Sequence, residues 1–168
     1  MAFHSVPFDS LSLNPFTKLG QDWALVTAGD QNGFNTMTVS WGALGFIWGK
    51  PTVTIYIRPQ RYTKEFLDAV DHFSLSVLPA EHKKTLGYLG SVSGRDEDKI
   101  AKSGLTLAHE AETPYFDEAE LVLVCRKLYK QDMDPACFLD KECDEKWYAA
   151  KDYHAVYIAE IEQVLKKA

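Results

Sequence analysis

Two runs of strand-forming residues, Trp23 to Gly29 (WALVTAG) and Asn35 to Trp41 (NTMTVSW), are separated only by turn-forming Asp30-Gln31-Asn32-Gly33. No other feature restricts the folding of this chain so tightly. Each run is short and suited to a pleated, half-buried ribbon, and the Asn-Gly pair is expected to supply the positive φ angles that a tight antiparallel connection needs. The hairpin commits the chain to an antiparallel sheet, and further strands follow it. Thr52 to Arg58 (TVTIYIR) alternates β-branched and aromatic residues and stops at Pro59, which cannot donate to a ladder. Phe73 to Leu78, Glu118 to Lys130 and Tyr153 to Leu165 carry further strand cores. In the last of these, Tyr153, Ala155, Tyr157, Ala159 and Ile161 share one face, opposite His154, Val156, Ile158 and Glu160.

Helical spacing is confined to short stretches. Thr63 to Asp71 places Phe66, Leu67 and Val70 on one face, with Thr63 as N-cap and Glu65 in the first turn. His82 to Leu89 and Asp96 to Ser103 read as two more short helices, the second opened by an acidic cap and closed by Gly104. Gly90-Ser91-Val92-Ser93-Gly94-Arg95 between them is a hydroxyl-rich loop. Gln131 to Ala150 is charged and irregular, an excursion with room for a helical turn. About seven strands with two or three short helices, no repeat and no linker predict one mainly β domain of the α+β kind over residues 1–168, a barrel or a sandwich.

Charge and motifs remove several functions. With 18 Lys plus Arg against 24 Asp plus Glu, a net charge of -6 argues against wrapping nucleic acid, whose phosphates are held by surplus cations. No apolar run is long enough for a membrane span, and Met1 to Ser10 lacks the order of a signal peptide, so the expected location is the cytoplasm. Cys125, Cys137 and Cys143 fit neither a disulfide framework nor paired zinc ligands, and read as reduced thiols; no metal site is expected. Rossmann, P-loop, zincin and serine-hydrolase fingerprints are all missing.

Three features remain that could hold a ligand. Thr36, Thr38 and Ser40 form a hydroxyl ladder on one strand face, which taken alone is an ordinary solvent-facing strand. Arg58, Arg61 and Lys64 follow one another without an intervening acid as the chain enters the helix at Thr63, a seat for a phosphate monoester. Ser91, Ser93, Arg95 and Lys99 make a second cluster of the same kind. Either cationic run alone reads equally well as a solubilising loop.

Their order along the chain carries a resemblance. The runs Asn35-Thr36-Met37-Thr38-Val39-Ser40-Trp41 and Pro51 to Arg58, the Tyr62-Thr63 helix start, Ser93-Gly94-Arg95-Asp96 with Asp98-Lys99, and the closing His154 to Ile161 resemble the flavin reductase-like family, FMN-binding split barrels, and within it the flavoredoxin-like branch. The resemblance extends from about Ser10 to Leu165. It implies a six-stranded Greek-key split β-barrel with short peripheral helices, a homodimer, and FMN near the subunit interface. It further implies hydride transfer from NADH or NADPH to flavin or a small acceptor or, as the alternative, an FMN electron carrier reduced by a partner protein. Carried over by position, Thr38, Val39, Ser40 and Trp41 would line the isoalloxazine and ribityl groups, and Arg58, Tyr62 and Thr63 would meet the phosphate with Ser93, Arg95 and Lys99 in support. Where the family has Gly-Asp-His, this chain has Asp152-Tyr153-His154, which leaves His154 as the one catalytic candidate and a weak one. Trp41, Trp48 and Tyr62 are candidates to stack on the ring or gate it, although core packing is the simpler reading of each, and the excursion after Lys130 is expected to cover the flavin. A third possibility is a split barrel that holds another ligand, such as haem.

Overall fold

The computed structural model describes residues 2–167. Ten strands form: β1 (Phe3–Val6), β2 (Ala24–Asp30), β3 (Gly33–Val39), β4 (Gly42–Ile47), β5 (Lys50–Ile57), β6 (His72–Val77), β7 (Leu107–Glu110), β8 (Thr113–Phe116), β9 (Leu121–Asp132) and β10 (Ala155–Lys167). The helices are short: α1 (Pro15–Thr17), α2 (Thr63–Ala69), α3 (Lys83–Ser91), α4 (Lys99–Ser103) and α5 (Lys141–Trp147). This is a mainly β, α+β molecule.

The expected hairpin forms as β2–β3, with Asp30 opposite Gly33. Its turn chemistry differs from the expectation. The Asp30 carboxylate accepts from the backbone N–H of Asn32 at 2.7 Å and of Gly33 at 3.2 Å, and the positive φ (129°) falls on Gly29 instead of the Asn-Gly pair. A side chain at Gly29 would put its Cβ 2.3 Å from the Gly33 carbonyl oxygen. The aspartate thus supplies an Asx-type turn, and the glycine the one backbone angle it leaves over.

The main sheet has eight strands, where six were expected. Its order is β3-β2-β6-β9-β10-β5-β4, and β1 pairs with the far end of β10. All of these pairings are antiparallel. The additional strands are the four-residue β1 and the glycine-interrupted β4, both of which lack a strong period-two pattern. Long β10 binds β9 along one edge while β5 and β1 share the other, and register shifts at Ile158/Ala159 and Ile161/Gln163 bend it. The core-facing set moves with the bulge, from Ala155, Tyr157, Ala159 and Ile161 to Val164.

Strands from both ends of this order bury side chains in one core: Met37 and Val39 of β3, Val26 of β2, Phe73 and Leu75 of β6, and Val53 and Ile55 of β5. The sheet therefore curls, leaving a gap between β3 and β5. A second apolar layer lies outside, where Leu25, Val122 and Val124 meet Leu86 and Leu89 of α3 and the β7–β8 hairpin. Strands buried on both faces explain why β2 reads as a continuous apolar run. No helix among the described residues is long and apolar enough to cross a membrane. All three cysteines are free thiols.

Candidate functional site

The gap between β3 and the C-terminal end of β5 holds two connected cavities. The first, about 290 Å³, is lined by the consecutive residues Met37, Thr38, Val39, Ser40 and Trp41, and opposite them by Tyr56, Arg58, Arg61, Trp147 and His154. The second, about 280 Å³, lies between Asn35, the Arg58-to-Thr63 turn and the loop after α3, and reaches Lys99. Met37, Arg58 and Arg61 line both, so the two form a bent trough.

The chemistry of the second cavity comes from two cations. Arg61 donates Nη1 to the Gly90 carbonyl at 2.7 Å. Lys99, only 3% exposed, donates Nζ to the Leu89 and Val92 carbonyls at 2.9 Å each. The charges that act on them are cationic too. Burial first, and the Arg61 charge second, hold the Lys99 pKa down to about 8; burial, then Arg58, lowers that of Arg61. Two cations desolvated side by side without a carboxylate make a seat for an anion.

The other predicted phosphate contacts are placed differently. Arg58 lines the trough, but its guanidinium pairs with Asp152 at 2.5 Å and donates to the Trp147 carbonyl at 2.9 Å. Lys64 pairs with Asp68. Arg95 pairs with Glu65, donates to the Gln60 carbonyl at 3.1 Å and lies over the Tyr62 ring, outside the trough's lining. Tyr62, Thr63 and Ser93 do line the second cavity. Thr63 is not the N-cap, because Tyr62 occupies that position; the Thr63 hydroxyl instead accepts from Asn35 Nδ2 at 2.9 Å. Gly94 packs so closely that a Cβ there would lie 2.6 Å from Asn35 Oδ1.

The hydroxyl ladder is largely spent inside the protein. Thr36 Oγ1 bonds Thr27 Oγ1 at 2.9 Å and donates to the Val26 carbonyl, and Thr38 Oγ1 donates to the Leu86 carbonyl at 2.6 Å, tying β3 to α3. What β3 offers the first cavity is its backbone, since it ends the strand order and, among the described residues, pairs only with β2. Opposite lie aromatics. Trp41 stands edge-on to Trp147 with centroids 4.9 Å apart, and Tyr56 and His154 complete the wall. Trp48, 56% exposed on the β4–β5 turn, is not in the lining.

His154 is 7% exposed, and its Nδ1 lies 2.7 Å from the Tyr148 hydroxyl. Burial, aided by Arg58, lowers its pKa to about 4, so the ring is neutral at pH 7. The acid two residues before it, Asp152, is committed to Arg58 and to Gln60.

A family model described as Flavin reductase like domain matches residues 16–167. The chain belongs to the flavin reductase-like family. Solved structures with the family's fold include an FMN-binding domain of a flavin reductases-like enzyme from Shewanella baltica, with a TM-score of 0.70 at 18% identity, covering 98% of this chain and 77% of that one. A flavoredoxin from Methanosarcina acetivorans gives 0.66 at 20% identity over 87% and 68%. The NADH:FAD oxidoreductase of Streptomyces globisporus C-1027 gives 0.64 at 16% identity over 87% and 76%. No curated protein matches the chain in sequence. In this flavin reductase-like chain the sequence signals for Arg61 and Lys99 lead to one place, while Trp147 carries no motif that would mark it, and Tyr56, though inside the Pro51-to-Arg58 run, is not singled out by it as a lining residue.

Proposed function

We propose that this chain binds FMN in the trough and passes reducing equivalents from NADH or NADPH to a flavin or a small acceptor, working as a homodimer built on a six-stranded Greek-key split barrel to which β1 and β4 are additions. The observation that carries the reading is the uncompensated Arg61–Lys99 pair at one end of a trough whose other end is aromatic. That polarity suits a ligand with a phosphate at one end and a ring system at the other. Arg61 and Lys99 would hold the phosphate, with Tyr62, Thr63 and Ser93 around it. Thr38, Val39, Ser40 and Trp41 would border the ring, the strand's backbone supplying hydrogen bonds.

Bound there, the flavin supplies the two-electron chemistry. The chain's own groups bind, orient and exclude water. An imidazole nitrogen is a far better acceptor than the Met133 thioether, 3.4 Å from the same hydroxyl, so Tyr148 donates to Nδ1 of His154. The His154 proton then sits on Nε2, and the ring serves as a neutral donor in the wall of the first cavity.

One observation favours the carrier reading beside this one. Trp147, the last residue of α5, is held by Arg58 and lines the ring end beside Trp41, where it would narrow the approach of a dinucleotide. Anaerobic absorbance spectra of the FMN-loaded protein decide between them. Bleaching within seconds on adding NADH or NADPH supports the reductase, and bleaching only with an added partner reductase supports the carrier. A protein that retains no flavin spectrum contradicts both.

A further inference from the structure

A third cavity, about 570 Å³, adjoins the ring end of the trough, sharing Ser40, Trp41 and Tyr56 with the first. Its size is ordinary for a small-molecule site. The rest of its wall comes from three parts of the chain: the turn around Phe16 and Leu19, Ala43 and Leu44 of β4, and Met133 with Tyr148 from the excursion between β9 and β10. No charged side chain lines it; its polar side-chain groups are the hydroxyls of Ser40, Tyr56 and Tyr148 and the indole N–H of Trp41. The cations that could balance a phosphate line the other two cavities.

We propose that this cavity is a second-substrate site for a small uncharged aromatic or alicyclic molecule, bound beside the ring end of the trough. An anion there would be desolvated against apolar walls with no counter-charge, a cost that a neutral ring avoids. A neutral ring gains from burial against Leu19, Leu44 and Met133, and the hydroxyls orient one polar substituent. Met133 and Tyr148 are fixed by the network around His154, where Tyr148 bonds Nδ1 and the Met133 N–H donates to the His154 carbonyl at 2.9 Å. The excursion therefore shapes which second substrate fits. The inference rests on the flavin reading, which identifies the neighbouring cavity as the cofactor's.

The test uses a nearly isosteric pair, neutral acetophenone and anionic benzoate, titrated into the FMN-loaded protein while backbone amide NMR shifts are followed at Gly20 and at Gly42 to Leu44. The expected result is saturable shifts with acetophenone and binding of benzoate at least tenfold weaker. Ala43 is exposed, so Ala43→Trp fills the cavity without disturbing the core and is expected to weaken acetophenone at least tenfold. Ala43→Lys, adding the missing counter-charge, is expected to reverse the preference towards benzoate. Equal binding of the two probes, shifts elsewhere only, or acetophenone binding that survives Ala43→Trp would overturn the proposal. FMN retention, read from the flavin absorbance of the same samples, reports separately on the flavin reading; if it fails, the same titration runs on the flavin-free protein.

Discussion

His154 shows how a single side chain's surroundings set its chemistry. A strand histidine would ordinarily titrate near neutrality, but this one is enclosed by Trp41, Tyr56 and Tyr148, with the Arg58 cation close by. Its pKa is lowered to about 4, so as the pH falls the unfolded chain takes up this proton first. His154 therefore contributes stability that is complete above about pH 6.5 and is lost as the pH falls towards 4. Asp68, held at about 2, and the lowered Glu160 and Glu162 act in the same direction, but only below their ordinary values near 4. Urea midpoints measured at pH 7, 6 and 5 are expected to fall for the natural protein and to fall less for His154→Gln. Parallel curves would assign the acid sensitivity to another group. His154 was visible in the sequence as a lone strand histidine, whereas its neutrality was not, because Tyr148 and Arg58 reach it only through the fold.

At the scale of elements, the excursion between β9 and β10 is pinned by a latch. Arg58, just past β5, pairs with Asp152, bonds the Trp147 carbonyl and lies over the Tyr148 ring at 5.1 Å. Removing it with Arg58→Met is expected to raise amide hydrogen exchange across residues 135–151 about tenfold or more, the worth of a charged hydrogen bond released. Unchanged exchange there would show that α5 is held by other contacts. The strands with strong patterns, β2, β3, β5, β6, β9 and β10, were legible to within three residues at each end, the start of β9 being the furthest off. The rest were hidden for physical reasons. β1 pairs with residues about 160 positions away, β4 contains Gly42 and Gly45, and β8 contains Pro114, so each depends on a partner more than on its own pattern. The ladder Thr36-Thr38-Ser40 misled for a related reason: its face was legible, but the threonine hydroxyls are consumed by Val26 and Leu86, which no local pattern announces.

At the scale of the molecule, a chain with a net charge of -6 gathers Arg61 and Lys99 without a counter-ion at one end of the trough between β3 and β5. Such an arrangement destabilises the empty site and favours whatever brings a phosphate to it. A bound phosphate raises the Lys99 pKa from about 8, so binding takes up a proton above that pH, and affinity should decline as the pH rises past 8. Arg61→Ala or Lys99→Met should remove a charged hydrogen bond to the ligand, about ten- to hundredfold in affinity. Riboflavin, which carries the same ring without the phosphate, separates this term from everything at the aromatic end. The most direct test of the account is therefore the pair of dissociation constants for FMN and riboflavin at pH 7, in the natural protein and in the two variants. FMN should bind at least about tenfold more tightly than riboflavin, with the gap shrinking in both variants and at pH 9.5. Equal affinities in the natural protein, or a gap that neither variant narrows, would contradict it.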